Sequence, residues 1–408
     1  MDARAVRVDV DSSYSWLRLV LAVVLSTIGC VGMWSVVVVL PAVEAEFEVA
    51  RADASLPYSL MTIGFAFGGV LMGRLADRFG VFVPVSLGAV ALGAGYALSA
   101  LSTSLWQFAL AHGVLIGFLG SSATFSPLLA DITHWFERRR GIAVAICASG
   151  SYLAGTIWPP VVQHLIETVG WRQAHLGIGL FCTLTLVPLA FGLRRRAPAH
   201  WSAATAATET AARTTGLSPR ALQMLLAAAG LTCCVAMAMP QVHIVAYCGD
   251  LGYGVARGAE MLSLMLGLGI VSRIASGWIA DQIGGVATLL LGSVLQALAL
   301  FLYLWFDGLT SLYVISALFG LFQGGIVPSY ALIVREYFAP AEAGTRVGIV
   351  IMATLFGMAL GGWISGLIFD WTGSYRMAFA NGMLWNVLNA GIALWLLQRT
   401  GTARAVAA

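Results

Sequence analysis

One arginine stands in the middle of a strongly apolar stretch. Arg273 lies within residues 259–279, a segment long and apolar enough to cross a membrane as a helix. An arginine at the centre of a membrane helix costs roughly 2.5–3.5 kcal/mol on insertion scales, so it is expected to face water, a ligand or a counter-charge. A guanidinium matches a carboxylate through two parallel hydrogen bonds. The sequence therefore predicts that Arg273 binds an organic anion.

Two other interpretations of this arginine stay open. Its long side chain can extend toward the nearer membrane interface, or it can pair with a carboxylate at the end of a neighbouring helix. The acidic residues of the apolar stretches all stand at their ends, and these residues are Asp131, Glu167, Glu260, Asp281 and Glu336. Because no carboxylate occupies the middle of a stretch, an anion that arrives and leaves is the favoured partner.

Six further side chains within the apolar stretches are candidates for substrate binding, namely Gln323, Tyr330, His243, Tyr152, Ser122 and Trp34. Gln323 and Tyr330 are seven residues apart, which places them on one face of a helix, and Pro328 loosens that helix together with the pair Gly324-Gly325. Histidine is the side chain whose unperturbed pKa lies nearest physiological pH, which makes His243 a candidate. Each of the six can equally be a packing residue that forms hydrogen bonds between helices.

The composition limits the fold class. Hydrophobic residues make up 59% of the 408 residues and charged residues only 10%, against about 25% in a typical soluble domain. Most of the surface must therefore face lipid, where the backbone is satisfied by helices. The sequence predicts an all-α integral membrane protein with twelve spans, at 16–40, 56–74, 82–101, 106–131, 141–167, 173–193, 221–246, 259–279, 286–305, 311–334, 346–369 and 377–398.

The arginines test this count, because positive charges concentrate in cytoplasmic loops. The chain contains no lysine, so its 22 cationic side chains are all arginine. Besides Arg273, four fall on one side of the predicted membrane, and these are Arg51, Arg172, Arg257 and Arg376; the other seventeen fall on the opposite side. This asymmetry predicts that both termini are cytoplasmic, and we expect the membrane to be a bacterial inner (plasma) membrane.

Two motifs recur along the chain. Gly73-Arg-Leu-Ala-Asp-Arg-Phe-Gly80 returns as Gly277-Trp-Ile-Ala-Asp-Gln-Ile-Gly284, which lies 204 residues later. Trp135-Phe136, which precedes Gly141, likewise returns as Tyr337-Phe338 before Gly344, and a proline precedes each copy. Duplicated halves are typical of secondary transporters. We predict an N-terminal six-helix bundle at 1–200, a cytoplasmic linker at 201–216 and a C-terminal six-helix bundle at 217–408.

The Gly73–Gly80 motif resembles the signature of the Major Facilitator Superfamily. The resemblance implies two pseudo-symmetric six-helix bundles and a charge cluster that holds one conformation of the carrier and releases it in another. Carried over, the residues of this conformational switch are Gly73, Asp77, Arg78, Gly80, Asp131 and Asp281. The same charges can also serve only to fix the orientation of the chain in the membrane.

Within that superfamily, the chain is similar to the branch of monocarboxylate transporters and oxalate/formate antiporters. Stretches that carry the likeness include Gly170-Trp-Arg172, Arg273 with Gly277, and Asp370-Trp-Thr-Gly-Ser-Tyr375. The resemblance implies a substrate-binding arginine in the eighth span. Proton-coupled members often have an acidic residue four positions earlier, where Gly269 stands here, and oxalate exchangers have a lysine in the eleventh span, where none occurs. A single substrate-binding cation favours a substrate with one carboxylate over a dicarboxylate.

The sequence therefore predicts a secondary active transporter that moves an organic monocarboxylate such as lactate or pyruvate by alternating access, with a proton. The alternatives are a carboxylate exchanger, a proton-driven drug exporter, a carrier of neutral solutes, and a membrane receptor or scaffold. The expected partners are a small organic anion, a proton or counter-anion, and membrane lipid. We predict no enzymatic activity, catalytic residue, metal ion, cofactor or nucleic-acid partner, since the chain has no nucleotide loop, metal-ligand spacing or nucleophile with a base.

Overall fold

The fold consists of long helices. The computed structural model of the chain describes residues 10–195 and 217–407, so the predicted linker 201–216 lies outside the described residues. Within those ranges, twelve helices are long and apolar enough to cross a membrane. They are α1 (Ser13–Phe47), α2 (Arg51–Phe79), α3 (Phe82–Ala100), α4 (Leu105–Trp135), α5 (Arg140–Val169), α6 (Trp171–Leu193), α7 (Pro219–Asp250), α8 (Val255–Ile283), α9 (Gly285–Trp305), α10 (Leu309–Tyr337), α11 (Pro340–Thr372) and α12 (Tyr375–Ala407). The predicted number of spans is confirmed.

Four of these helices are interrupted within their length: α1 at Cys30, α5 at Ser149, and α4 and α10 over longer segments. In α4, an α-helical turn is followed by a π-helix (Ala111–Gly120), a 3₁₀ turn (Ser121–Thr124) and a final α-helix (Ser126–Trp135). In α10, Leu309–Gln323 and Ile326–Tyr337 are separate α-helices. The final segments of α4 and α10 each carry a proline in the first turn, where a missing backbone N–H is tolerated.

The described residues fall into two compact units. Unit 1 contains residues 10–195 together with Cys248–Ser263, and unit 2 contains residues 217–247 and 264–407. Residues 248–263 include Asp250, which accepts hydrogen bonds from the guanidinium of Arg51 at 2.9 and 3.2 Å. Glu44 lies 2.5 Å from the same guanidinium. This ion-pair cluster links α1, α2 and the last residue of α7 within unit 1.

The same helix contact occurs in each repeat. In α4, a Cβ added at Gly117 would overlap the carbonyl oxygen of Met61 in α2. In α10, a Cβ added at Gly320 would overlap the carbonyl oxygen of Met265 in α8. The corresponding residues are 203 and 204 positions apart in the sequence. Both helix pairs therefore pack backbone against backbone, as small residues permit in membrane helices.

The outer surface of the helices is apolar. Large side chains such as Leu180, Ile274 and Leu384 are exposed although they have no polar atoms. By contrast, all six cysteines are free thiols buried between helices. An apolar exterior of this extent fits lipid and not water, so the chain is an integral membrane protein.

Candidate functional site

The break in α10 creates the most unusual backbone feature near Arg273. In a continuous α-helix, the carbonyl of Gly324 would accept the N–H of residue 328, four positions later. Residue 328 is proline, which has no N–H, so this helical hydrogen bond cannot form. The next carbonyl, that of Gly325, accepts normally from the N–H of Ser329 at 3.2 Å. The Gly324 carbonyl therefore lacks the helical hydrogen bond that an N–H at position 328 would provide.

Arg273 of α8 reaches this carbonyl. The side chain is half-buried, and its Nε donates to the oxygen of Gly324 at 3.4 Å. The two helices touch here, because a Cβ at Gly324 would clash with the carbonyl of Gly269 and lie 2.8 Å from the Cβ of Ser272. Small residues at the contact therefore bring the α10 carbonyl within reach of the arginine.

Gln323 lies next to that carbonyl. Its Oε1 accepts a hydrogen bond from Nε2 of Gln241 in α7 at 2.8 Å, and both side chains are buried. Within the described part of the chain, its own Nε2 has no hydrogen-bond partner. A buried donor left without an acceptor costs about 1–3 kcal/mol, so this amide is suited to an acceptor atom that a ligand brings.

Tyr330 belongs to a buried polar network that joins α9, α10 and α12. Its hydroxyl donates to Oδ1 of Asn389 at 2.9 Å, and Nδ2 of Asn389 donates to Oγ of Ser293 at 2.7 Å. Nδ2 of Asn386 donates to the Ser293 carbonyl at 2.6 Å. We did not predict the two asparagines from the sequence, although two amides three residues apart in an apolar span are a recognisable signal.

His243 forms hydrogen bonds through both ring nitrogens. Nε2 lies 2.7 Å from the carbonyl oxygen of Gly362 in α11, and Nδ1 lies 3.2 Å from the hydroxyl of Tyr375 in α12. A carbonyl only accepts, so Nε2 carries the proton, and in the neutral ring Nδ1 accepts from the tyrosine. These contacts join α7 to α11 and α12 within unit 2.

The remaining predicted binding residues belong to unit 1. Nε1 of Trp34 donates to the carbonyl of Ser151 at 3.0 Å, which joins α1 to α5. The Ser122 hydroxyl donates to the carbonyl of Phe118 in its own helix at 2.6 Å. Tyr152 is buried in α5, with 8% of its surface exposed. Arg273, Gln323, Tyr330 and His243 lie in unit 2, so the seven predicted residues are divided between the units.

The predicted switch residues Asp77 and Arg78 are exposed at the end of α2, and Asp281 is exposed at the end of α8.

The turns that follow α2 and α8 have the same conformation. Gly80 has φ 84° and donates to Ala76 at 2.7 Å, and Gly284 has φ 84° and donates to Ala280 at 2.8 Å. Positive φ explains why each motif ends in glycine. Gly73 has open space around its Cβ position, so no close packing explains that glycine.

Asp131, predicted as a switch residue or a partner of Arg273, forms an ion pair with Arg18. Nε of Arg18 donates to Oδ2 at 2.6 Å and Nη2 donates to Oδ1 at 2.9 Å, and both side chains are almost fully buried. The guanidinium also lies 4.7 Å from the ring centre of Trp135. The sequence placed Arg18 among the loop arginines, so its structural role was missed.

A cavity of about 480 Å³ adjoins this ion pair at one end of unit 1. Its polar lining comprises Arg18, Asp77, Asp131, His134, Arg194 and Arg195. The structure thus brings Asp77 and Asp131 to one cavity, together with Arg18. Among the described residues, neither this cavity nor any other region has three or more His, Cys, Asp or Glu side chains arranged to hold a metal ion.

Comparison with known proteins identifies a family, several sequence relatives and solved structures that are similar to this chain. The sequence profile of the Major Facilitator Superfamily matches residues 22–315 and 276–407. Monocarboxylate transporter 13 of Bos taurus is 29% identical over 354 residues, which cover 86% of this chain and 82% of the relative. The MFS-type transporter hasB of Aspergillus fumigatus is 30% identical, with 76% and 72% covered. A peptide transporter crystal structure shares the fold, with a TM-score of 0.75 and 13% identity over 99% of both chains.

Proposed function

Because the chain belongs to the Major Facilitator Superfamily, we propose that it is a secondary active transporter that carries an organic monocarboxylate such as lactate or pyruvate. The single observation behind this proposal is Arg273, a cation within a membrane-spanning helix that donates to the Gly324 carbonyl of α10. Arginine in such a position marks a substrate pathway by default. The 29% identity to a monocarboxylate transporter over most of the chain supports the same substrate class.

In the proposed mechanism, the carboxylate forms charge-assisted hydrogen bonds with the Arg273 guanidinium. The buried Nε2 of Gln323 donates to a second oxygen of the substrate, because this amide has no acceptor among the described residues. A proton accompanies the anion, so the complex crosses the membrane with less charge. The transporter then releases the acid on the opposite side through alternating access of its two halves.

The proposal is tested with Arg273→Gln in proteoliposomes. We expect uptake of labelled lactate to fall to background, because a neutral amide cannot replace the charge that holds the carboxylate. Arg257→Gln is the matched control, since Arg257 lies on the same helix but is exposed and pairs with Glu260 at 3.1 Å. Lactate uptake by Arg273→Gln equal to that of the control would refute the binding role.

The same assay decides how transport is driven. An inward proton gradient is expected to stimulate uptake if a proton accompanies the anion. If uptake does not depend on the proton gradient but requires a carboxylate inside the vesicle, the protein is the alternative, a carboxylate exchanger. A carrier of cationic drugs would leave lactate outside in both conditions.

We further propose that the protein resides in a bacterial inner membrane with both termini in the cytoplasm. The unequal distribution of arginines between the two sets of loops supports the orientation of the termini. A fluorescent protein that matures only in the cytoplasm, fused after Ala408, is expected to be bright, and a dark but stably expressed fusion would reverse the orientation.

A further inference from the structure

Pro328 lies at the point where Arg273 meets α10, although nothing in its own chemistry can bind an anion. The two carbonyls that precede it behave differently. The Gly325 oxygen accepts both the backbone N–H of Ser329 at 3.2 Å and its hydroxyl at 2.8 Å. The Gly324 oxygen has no helical donor, because its donor would be the N–H that proline lacks. Arg273 supplies a donor from another helix instead.

The hydrogen bond between Arg273 and the Gly324 carbonyl lowers two energetic costs of the membrane interior. A carbonyl without a donor is costly where no lipid group can satisfy it, and a guanidinium is costly where few acceptors exist. The hydrogen bond from Nε of Arg273 therefore gives the Gly324 carbonyl a donor and gives one N–H of the guanidinium an acceptor. Because Nε is fixed in the plane of the guanidinium, a hydrogen bond through it also sets the orientation of the terminal nitrogens, which are the groups that grip a carboxylate.

We propose that Pro328 is a positioning residue for the substrate arginine. It touches no substrate, and it acts by keeping the Gly324 carbonyl available to Nε of Arg273, so that the guanidinium is oriented before the anion arrives. This inference rests on the proposed function, since it assumes that Arg273 binds the substrate carboxylate.

Pro328→Ala tests the idea, because alanine returns the missing N–H to the helix and competes with Arg273 for the same oxygen. We expect KM for labelled lactate to rise about tenfold or more, as for the loss of a hydrogen bond to a charged group, with kcat changed far less. Pro188→Ala is the matched control. It returns an N–H to the interior of α6 at an exposed position, and it is expected to keep the unaltered KM.

A second variant separates the missing N–H from the shape of the ring. Replacing residue 328 by the α-hydroxy acid analogue of alanine leaves a backbone ester, which lacks the N–H as proline does. We expect this ester to restore KM toward that of the unaltered chain. If the ester and Pro328→Ala raise KM equally, proline acts through its shape and the positioning role is overturned.

Two other outcomes distinguish failure of the positioning role from failure of the proposed function. If the unaltered chain takes up lactate and Pro328→Ala has the same KM, the positioning role fails while the proposed function stands. If the unaltered chain shows no saturable lactate uptake, the proposed function fails, and the positioning role fails with it.

Discussion

Arg18 and Arg273 both lie in membrane-spanning helices, and their surroundings differ. Arg18 in α1 is 2% exposed and is held by both oxygens of Asp131 and by the ring of Trp135. Arg273 in α8 is half-buried and donates to a neutral carbonyl at 3.4 Å. A carboxylate built into the chain neutralises the charge of Arg18, whereas the carbonyl of Gly324 orients the Arg273 guanidinium through a hydrogen bond. The first arrangement suits structure, and the second suits binding.

The repeats sharpen this contrast. By the register of the two glycine motifs, the counterpart of Arg273 in unit 1 is Gly69 of α2. The counterpart of the α10 break is the change of helix type in α4, which is also followed by a proline. Packing is thus shared by the two copies, while the cation is present in one copy only. The two copies therefore share helix packing and differ at the position that we propose for substrate binding.

The largest effect is expected on the structural arginine. Asp131→Ala leaves Arg18 buried without its carboxylate, and we expect a loss of about 3–5 kcal/mol in the free energy of unfolding. Titration with a denaturing detergent, followed by tryptophan fluorescence, measures it. The double variant Arg18→Met/Asp131→Leu, which removes both charges, is expected to recover most of the loss. An Asp131→Ala variant as stable as the unaltered chain would show that the ion pair is dispensable.

A smaller effect is expected when Arg273 is made to resemble Arg18. Gly269→Asp places a carboxylate one helical turn before the arginine, within reach of its guanidinium. We expect KM for lactate at neutral pH to rise about tenfold, which corresponds to about 1.4 kcal/mol of competition from a resident anion. Gly269→Asn, which has a similar size without the charge, is the control. Equal KM values for the two variants would exclude competition by charge as the cause.

The smallest effect is expected at the cavity beside Arg18. Asp77→Asn removes a charge from the cavity lining. Because the resemblance to the superfamily assigns Asp77 to the conformational switch and not to substrate binding, we expect kcat for lactate uptake to fall by about tenfold or less while KM stays unchanged. Asp281→Asn at the matching turn of unit 2 is the comparison and is expected to have a weaker effect. A change in KM without a change in kcat would contradict the switch role of Asp77.

Much of the fold was predictable from the sequence. Lipid forces each span to be a long apolar helix, and this constraint predicted the twelve spans. The superfamily was predicted from the Gly73–Gly80 motif and is confirmed by the family match. The family also confirms the prediction that the chain is a transporter and not an enzyme. The ends of the spans were less accurate. The first was predicted at 16–40, yet α1 continues past Pro41 to Phe47, because a proline can be accommodated inside a membrane helix.

The candidate site was predictable only in part. Arg273 stood out because of its position within an apolar stretch. The four-residue spacing from Gly324 to Pro328 explains why no helical N–H binds the Gly324 carbonyl. Its pairing with Arg273 depends on a helix contact between residues 51 positions apart, which no local pattern reveals. The pairing of Arg18 with Asp131 spans 113 positions and was missed for the same reason. Local sequence identifies groups in need of a partner, but tertiary packing selects the partner.

The buried cysteines have a practical consequence for watching this transporter move. All six are free thiols shielded by neighbouring helices, and the chain offers no lysine to amine-reactive reagents. Burial hinders the access of a reagent to a thiol. The unaltered protein should therefore give a low background with thiol-specific spin labels or fluorophores. Labels on cysteines introduced at the exposed end of α2 and at the exposed end of α8 would test whether the distance between these two ends changes during transport.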